Sequence, residues 1–124
     1  MQLSHEAPDY AYTLRGADGH SARINDRELA SSFIVTPQVL VEDWPVASVA
    51  ALTVAHLEQI LALEPVLIVL GTGARQVFPS PQLMATCLSR GIGLEVMNNP
   101  AAARTFNILA GEGRKVAAAF IIER

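Results

Sequence analysis

The chain has 124 residues, the length of one domain, and with 51% hydrophobic and 17% charged residues it can bury a core without disulfide or metal staples. A formal net charge of −3, with no run of Lys or Arg, argues against nucleic-acid binding. No apolar stretch approaches the roughly 20 residues that span a bilayer, so membrane insertion through a helix is excluded.

The first ten residues, MQLSHEAPDY, carry two acids and no Arg. They read as neither a signal peptide nor a transit peptide, and residues 1–9 as a loose polar arm. Tyr10 to Leu14 alternates weakly and predicts a strand; Gly16 to Gly19 is turn chemistry, with Ser21 to Ile24 as the returning partner. Asn25-Asp26 breaks that pattern. Phe33-Ile34-Val35 is a third strand, ended by Thr36-Pro37, and Val39 to Val41 extends it or forms a short edge strand. Glu42-Asp43-Trp44-Pro45 is a turn carrying the single Trp. Residues 46–52 give no clear signal. Thr53 is a cap for a helix over about 54–62, with Leu52 and Leu57 at staple positions and Leu57, Ile60 and Leu61 facing the core. That helix must stop before Pro65, because the residue preceding a proline avoids helical dihedrals.

The stretch from Pro65 to Arg124 is the most regular. Val66 to Leu70 is an unbroken apolar run between Pro65 and Gly71, which suits a central strand buried on both faces. Ser80-Pro81 reads as a cap followed by a proline at the first helical position. The stripe Leu83, Met84, Cys87, Leu88 has helical spacing, and Gly91 stops it. Leu94 to Met97 is the next strand. Asn99-Pro100 repeats the cap-then-proline signal for a helix lined by Ala102, Phe106, Leu109 and Ala110, which Gly111 and Gly113 end; Val116 to Ile122 is the last strand. The unit from Val66 to Met97 should be a right-handed crossover with its strands parallel. The whole is one α/β domain over residues 1–124, built in layers around a mixed sheet. Cys87, within a helix stripe, reads as a buried structural thiol, and a lone cysteine fits a reducing, cytoplasmic setting.

Chemical signals are sparse. Gly71-Thr72-Gly73 after a buried strand invites comparison with nucleotide-binding loops, but Gln76 stands where the third glycine belongs and Arg75 to Pro79 intervenes before the helix. The next strand ends in Asn98-Asn99 rather than in an acid that would hold a ribose, and no phosphate-loop lysine follows. No NAD, FAD or ATP binding is expected, and no cofactor. His5, His20 and His56 are scattered without partners at ligand spacing, so no metal is expected. No Gly-x-Ser-x-Gly elbow occurs. Glu42 and Asp43 are adjacent and should point apart rather than form an acid/base pair. Trp44 reads as a packing anchor; were it exposed, it would mark a partner surface. One local site survives: Gly71, Thr72, Gly73 and Arg75 should share a rim with Asn98 and Asn99, at the carboxyl ends of parallel strands about 4.8 Å apart. Exposed glycine N–H groups, the helix start at Asn99 and the Arg75 charge would make that rim weakly attractive to a carboxylate-bearing ligand or an acidic partner segment.

The runs LIVLGTGARQVFPSP and GLEVMNNPAAARTFNILAGEGRKVAAAFI resemble a family of small α/β domains of unknown function. That family includes a mitochondrial complex I assembly factor and an adipogenesis-associated protein. Phe33 to Pro37 and Trp44 also fit, so the resemblance covers nearly the whole chain. It implies a three-layer fold: a central mixed sheet of about five strands flanked by helices, with an added β-hairpin layer. Gly71, Thr72, Gly73, Asn99, Pro100, Thr105 and Asn107 match the family pattern, which assigns them no role and brings no enzymatic activity. The leading functional expectation is a non-catalytic interaction or assembly-type domain with a protein partner. The alternative is a small-molecule binder or enzyme using the crevice between Gly71–Arg75 and Asn98–Asn99.

Overall fold

A computed structural model describes residues 10–123; the expected arm, residues 1–9, lies outside them. The strands are β1 (Leu14–Ala17), β2 (Ala22–Ile24), β3 (Arg27–Leu29), β4 (Phe33–Val35), β5 (Leu40–Val41), β6 (Leu67–Gly71), β7 (Gly93–Met97) and β8 (Val116–Phe120). The α-helices are α1 (Val54–Leu61), α2 (Pro81–Ser89) and α3 (Asn99–Gly111), and residues 49–51 form a short 3-10 turn. The central sheet has the order β5-β4-β8-β6-β7. β6 runs parallel to both β7 and β8, and β4 runs antiparallel to β8 and β5, so the sheet is mixed.

The unbroken apolar runs are explained by the layers on both sides of this sheet. Val69, Ala118, Phe120, Phe33 and Val35 pack with Ala102, Ala103 and Phe106 of α3 and with Leu14, Ala22 and Ile24 of the second sheet. The alternate residues Ile68, Leu70, Ala117, Ala119 and Ile34 pack with Leu57 and Ile60 of α1 and Leu83 and Cys87 of α2. Each fully buried Phe or Ile contributes about 1.5–3 kcal/mol, and Phe33, Phe106 and Phe120 are all at zero exposure. Phe33 and Phe120 face each other across the β4–β8 pair with ring centroids 4.9 Å apart.

The added layer is a three-stranded antiparallel sheet, β1-β2-β3, rather than a two-stranded hairpin. The first strand starts at Leu14, where Tyr10 to Leu14 had been expected, and Gly16 lies inside it. The turn falls at 18–21, where the Asp18 carboxylate accepts from the backbone N–H groups of His20 and Ser21 and is held below the usual carboxylate pKa by them. Asn25-Asp26, read as a break, is the two-residue turn from β2 into β3, with Asn25 in the left-handed region at φ 51. Asn107 of α3 clamps this sheet to the core: its Oδ1 accepts from Leu14 N–H at 2.9 Å and its Nδ2 donates to Leu14 O at 2.7 Å.

Three further expectations shift. β6 begins at Leu67, and Val66 is 54% exposed. Gly71 takes up the ladder instead, opposite Met97 and Phe120. Leu88 is 78% exposed because only Leu83 and Cys87, four residues apart, face the core. The cap of α3 is Asn98, whose Oδ1 accepts from Ala101 N–H; Asn99 is the first helical residue and Pro100 the second. The caps of the other helices are as expected. Ser80 caps α2, and Thr53 forms a reciprocal capping box with the His56 ring at the start of α1. Trp44 is buried, with its ring edge-on to His56 and its Nε1 without an acceptor among the described residues.

Candidate functional site

Gly71–Arg75 and Asn98–Asn99 meet on the rim formed by the carboxyl ends of β6 and β7. The parallel register carries the two strand ends to the same level, and the chain continues the pairing beyond the sheet. Thr72 N–H donates to Met97 O at 3.0 Å, and Asn99 N–H donates to Gly73 O at 2.8 Å. Asn99 has zero exposure, which is unusual for an asparagine, and its amide is fully occupied. Its Oδ1 accepts from Gly73 N–H at 3.1 Å; its Nδ2 donates to Asp18 O at 2.8 Å and to Ile121 O at 3.0 Å. One side chain therefore ties together the β6 exit, the β1–β2 turn and the end of β8. Gly71 is needed beneath it: a Cβ there would clash with Asn99 Oδ1 and lie 3.2 Å from the Phe120 ring. Gly73, at φ +102, turns the chain away.

This bracing determines what the rim can do. At the start of α3 the Asn99 N–H is taken by Gly73 O, Pro100 has none, and the Ala101 N–H is taken by Asn98 Oδ1. The helix-start donors that would attract an anion are thus satisfied internally. The Glu123 side chain also lies against Gly73, within 3.2 Å of where a Cβ would stand. Positive charge on the rim comes from Arg75, which is exposed and makes no ion pair among the described residues.

Two neighbours of Arg75 were missed from sequence. Val77 is 43% exposed and Phe78 is 62% exposed. The segment 74–80 has no regular secondary structure, yet it is held in place. The buried Thr72 hydroxyl donates to Arg75 O at 2.6 Å and accepts from Val77 N–H at 3.0 Å, and Gln76 Nε2 donates to Val96 O at 2.9 Å on the open edge of β7. The result is a fixed loop that presents a guanidinium, a valine and a phenyl ring. The sequence signal was the apolar pair itself, set between Gln76 and Pro79 and outside any amphipathic period.

The remaining candidates are placed apart. Glu42 pairs with Arg27 at 2.7 Å, while Asp43 accepts from the Ser31 hydroxyl. Cys87 is buried, and burial pushes its thiol pKa up. No cluster of three His, Cys, Asp or Glu side chains suited to a metal is present among the described residues, nor is any helix there long and apolar enough to cross a membrane.

A Xanthomonas campestris protein solved by NMR superposes with a TM-score of 0.84 at 56% identity, covering 98% of this chain and 92% of that one. NADH dehydrogenase [ubiquinone] 1 alpha subcomplex assembly factor 3 of Danio rerio is 35% identical over 114 residues, which are 90% of this chain and 62% of the relative. A Francisella tularensis protein named 13 kDa major membrane protein is 30% identical over 84 residues, 68% of each chain. The chain thus spans less than two thirds of the length of the assembly factor it matches. The layered α/β fold and these relatives agree with a family model that matches residues 14–121, and the chain belongs to that family, described as protein of unknown function (DUF498/DUF598).

Proposed function

We propose that the chain is a non-catalytic interaction domain of assembly type, and that it meets a protein partner through the Arg75–Phe78 loop and the adjoining Asn98–Asn99 rim. The observation that carries this reading is the loop itself: an irregular segment that fixes its backbone with the Thr72 hydroxyl and the Gln76 amide while leaving Arg75 and Phe78 exposed. Arg and aromatic side chains presented from a pre-ordered backbone are the residue types that dominate binding energy at interfaces. The naming of homologues as an assembly factor supports the class of role. The partner surface that fits is an acidic segment with an apolar pocket for Phe78. The rim's internally satisfied donors favour this over capture of a small anion in the Gly71–Arg75/Asn98–Asn99 crevice.

A photo-crosslinking phenylalanine analogue at position 78 tests the reading in cells of the source organism. A discrete adduct that disappears in the Arg75→Glu background is expected, with the same probe at Val39 on the opposite rim giving none. Adducts at position 39 alone, or an adduct at 78 indifferent to Arg75→Glu, would move the partner surface elsewhere. Trp44, being buried, cannot be that surface without unfolding its own layer.

A further inference from the structure

The opposite rim of the central sheet is hollow. A cavity of about 490 Å³ opens between the end of β4, the entry to β6, the entry to β8 and the carboxyl end of α3, within the roughly 300–1,000 Å³ of ordinary ligand sites. Its walls are mostly apolar: Pro37, Val39, Leu63, Pro65, Ala110 and Val116. Those walls are held by local hydrogen bonds to the backbone. The Thr36 hydroxyl accepts from the N–H groups of Gln38 and Val39, and Val66 N–H donates to Lys115 O at 2.9 Å.

The charged residues lining the cavity are Arg114 and Lys115, and none of the lining residues is acidic. Both cations are exposed, and neither forms an ion pair or a side-chain hydrogen bond among the described residues. Nor are they needed to finish α3. The carbonyls of Ile108, Leu109 and Ala110 are satisfied by backbone donors: Glu112 N–H to Ile108 O, Arg114 N–H to Leu109 O, and Gly113 N–H to Ala110 O, with Gly113 at φ +76. Two uncommitted cations beside an apolar, pre-shaped hollow are complementary to a molecule with a hydrocarbon body and an anionic head. The acids Glu64 and Glu112 lie nearby in sequence but do not line the cavity, so the head group meets the basic pair.

We infer that this cavity binds a small aliphatic carboxylate, its chain against Val39, Leu63, Pro65 and Val116 and its carboxylate toward Arg114 and Lys115. The inference is independent of the Phe78 loop, which lies on the other rim.

Decanoate, kept below its micelle concentration, is the probe, titrated into the full 124-residue protein with amide NMR as the readout. Shifts confined to the amides that line the cavity, Thr36, Gln38, Val39, Leu63, Ala110 and Gly113 to Val116, are expected, with acetate silent and decanol weaker. Arg114→Gln with Lys115→Gln should weaken decanoate roughly tenfold, the range of two solvent-facing ion pairs, and leave decanol unchanged. Val39→Asp, at an exposed wall position, should abolish decanoate binding with the melting temperature unmoved. Equal affinity for decanoate and decanol, indifference to the double variant, shifts at other residues, or no shifts at all would overturn the inference. So would shifts of these same amides on simple dilution, which would mean that a second copy of the chain covers the hollow, or their saturation by an acidic apolar peptide with decanoate inert.

Discussion

The two rims of the central sheet are built from similar parts and end up opposite in character. At the carboxyl rim of β6 and β7, Asn99 fills the space and binds three separate chain segments. At the amino rim, the entries to β6 and β8 are marked by Pro65 and by the Gly113 turn, no buried polar side chain among the described residues lies between them, and a hollow remains. The difference teaches that a strand end becomes a packed joint or an open pocket according to whether one buried polar side chain can satisfy the backbone groups that the strand leaves behind. A packed joint can hold a neighbouring loop rigid for a partner, whereas an open one offers volume to a ligand.

Breaking the joint should produce the largest effect. Asn99→Leu keeps the bulk but strands Gly73 N–H, Asp18 O and Ile121 O, and should cost roughly 3–5 kcal/mol in urea unfolding. A loss under about 1 kcal/mol would mean that the joint is not the brace described. Gly71→Ala should cost about 1–3 kcal/mol through its clash with Asn99 Oδ1. Because Asn99→Ala removes that oxygen, the double variant Gly71→Ala/Asn99→Ala should fall short of the sum of the singles. Strict additivity would separate the two residues.

The neighbouring asparagine sharpens the same comparison. Asn98→Ala removes a helix cap and no more, so a loss of about 1 kcal/mol is expected, well below that of Asn99→Leu. Surface changes rank lower still. Arg75→Glu and Phe78→Ala on one rim, and Lys115→Gln on the other, should each leave stability within about 0.5 kcal/mol while changing binding at their own rim only. Cys87, away from both rims, supplies a pH test. Its thiol is pushed up by burial, so the unfolded chain loses its proton first. Stability from this group is full below the ordinary thiol pKa of about 8.5 and declines as pH rises beyond it. In thermal melts across that range, Cys87→Ala should flatten the decline, and an unchanged slope would place its origin elsewhere.

Much of this was readable in the sequence. The run Val66–Leu70, shifted by one residue in the structure, the Ser80-Pro81 cap, the Thr53 start and the glycine stops announced their elements because each depends on local backbone chemistry: a missing N–H, a side-chain acceptor, a left-handed φ. The parallel pairing of β6 and β7 followed from the helix between them, and so did the meeting of Gly71–Arg75 with Asn98–Asn99. The short strands of the second sheet were blurred because three-residue pairings carry too little pattern, and the Asn25-Asp26 turn was mistaken for an interruption.

What only the tertiary structure decided is which of two adjacent asparagines caps and which braces. Both carry the same amide, and the local cap-then-proline signal pointed to Asn99, whereas Asn98 is the cap. The choice rests on Asp18, Gly73 and Ile121, residues 81, 26 and 22 positions away that converge on Asn99 only once the sheet has formed. The exposure of Phe78 and the hollow beside Arg114 and Lys115 have the same origin. Local propensity fixes where the chain turns and coils, but whether a side chain ends in solvent, in a core or beside a cavity depends on which distant segments arrive next to it.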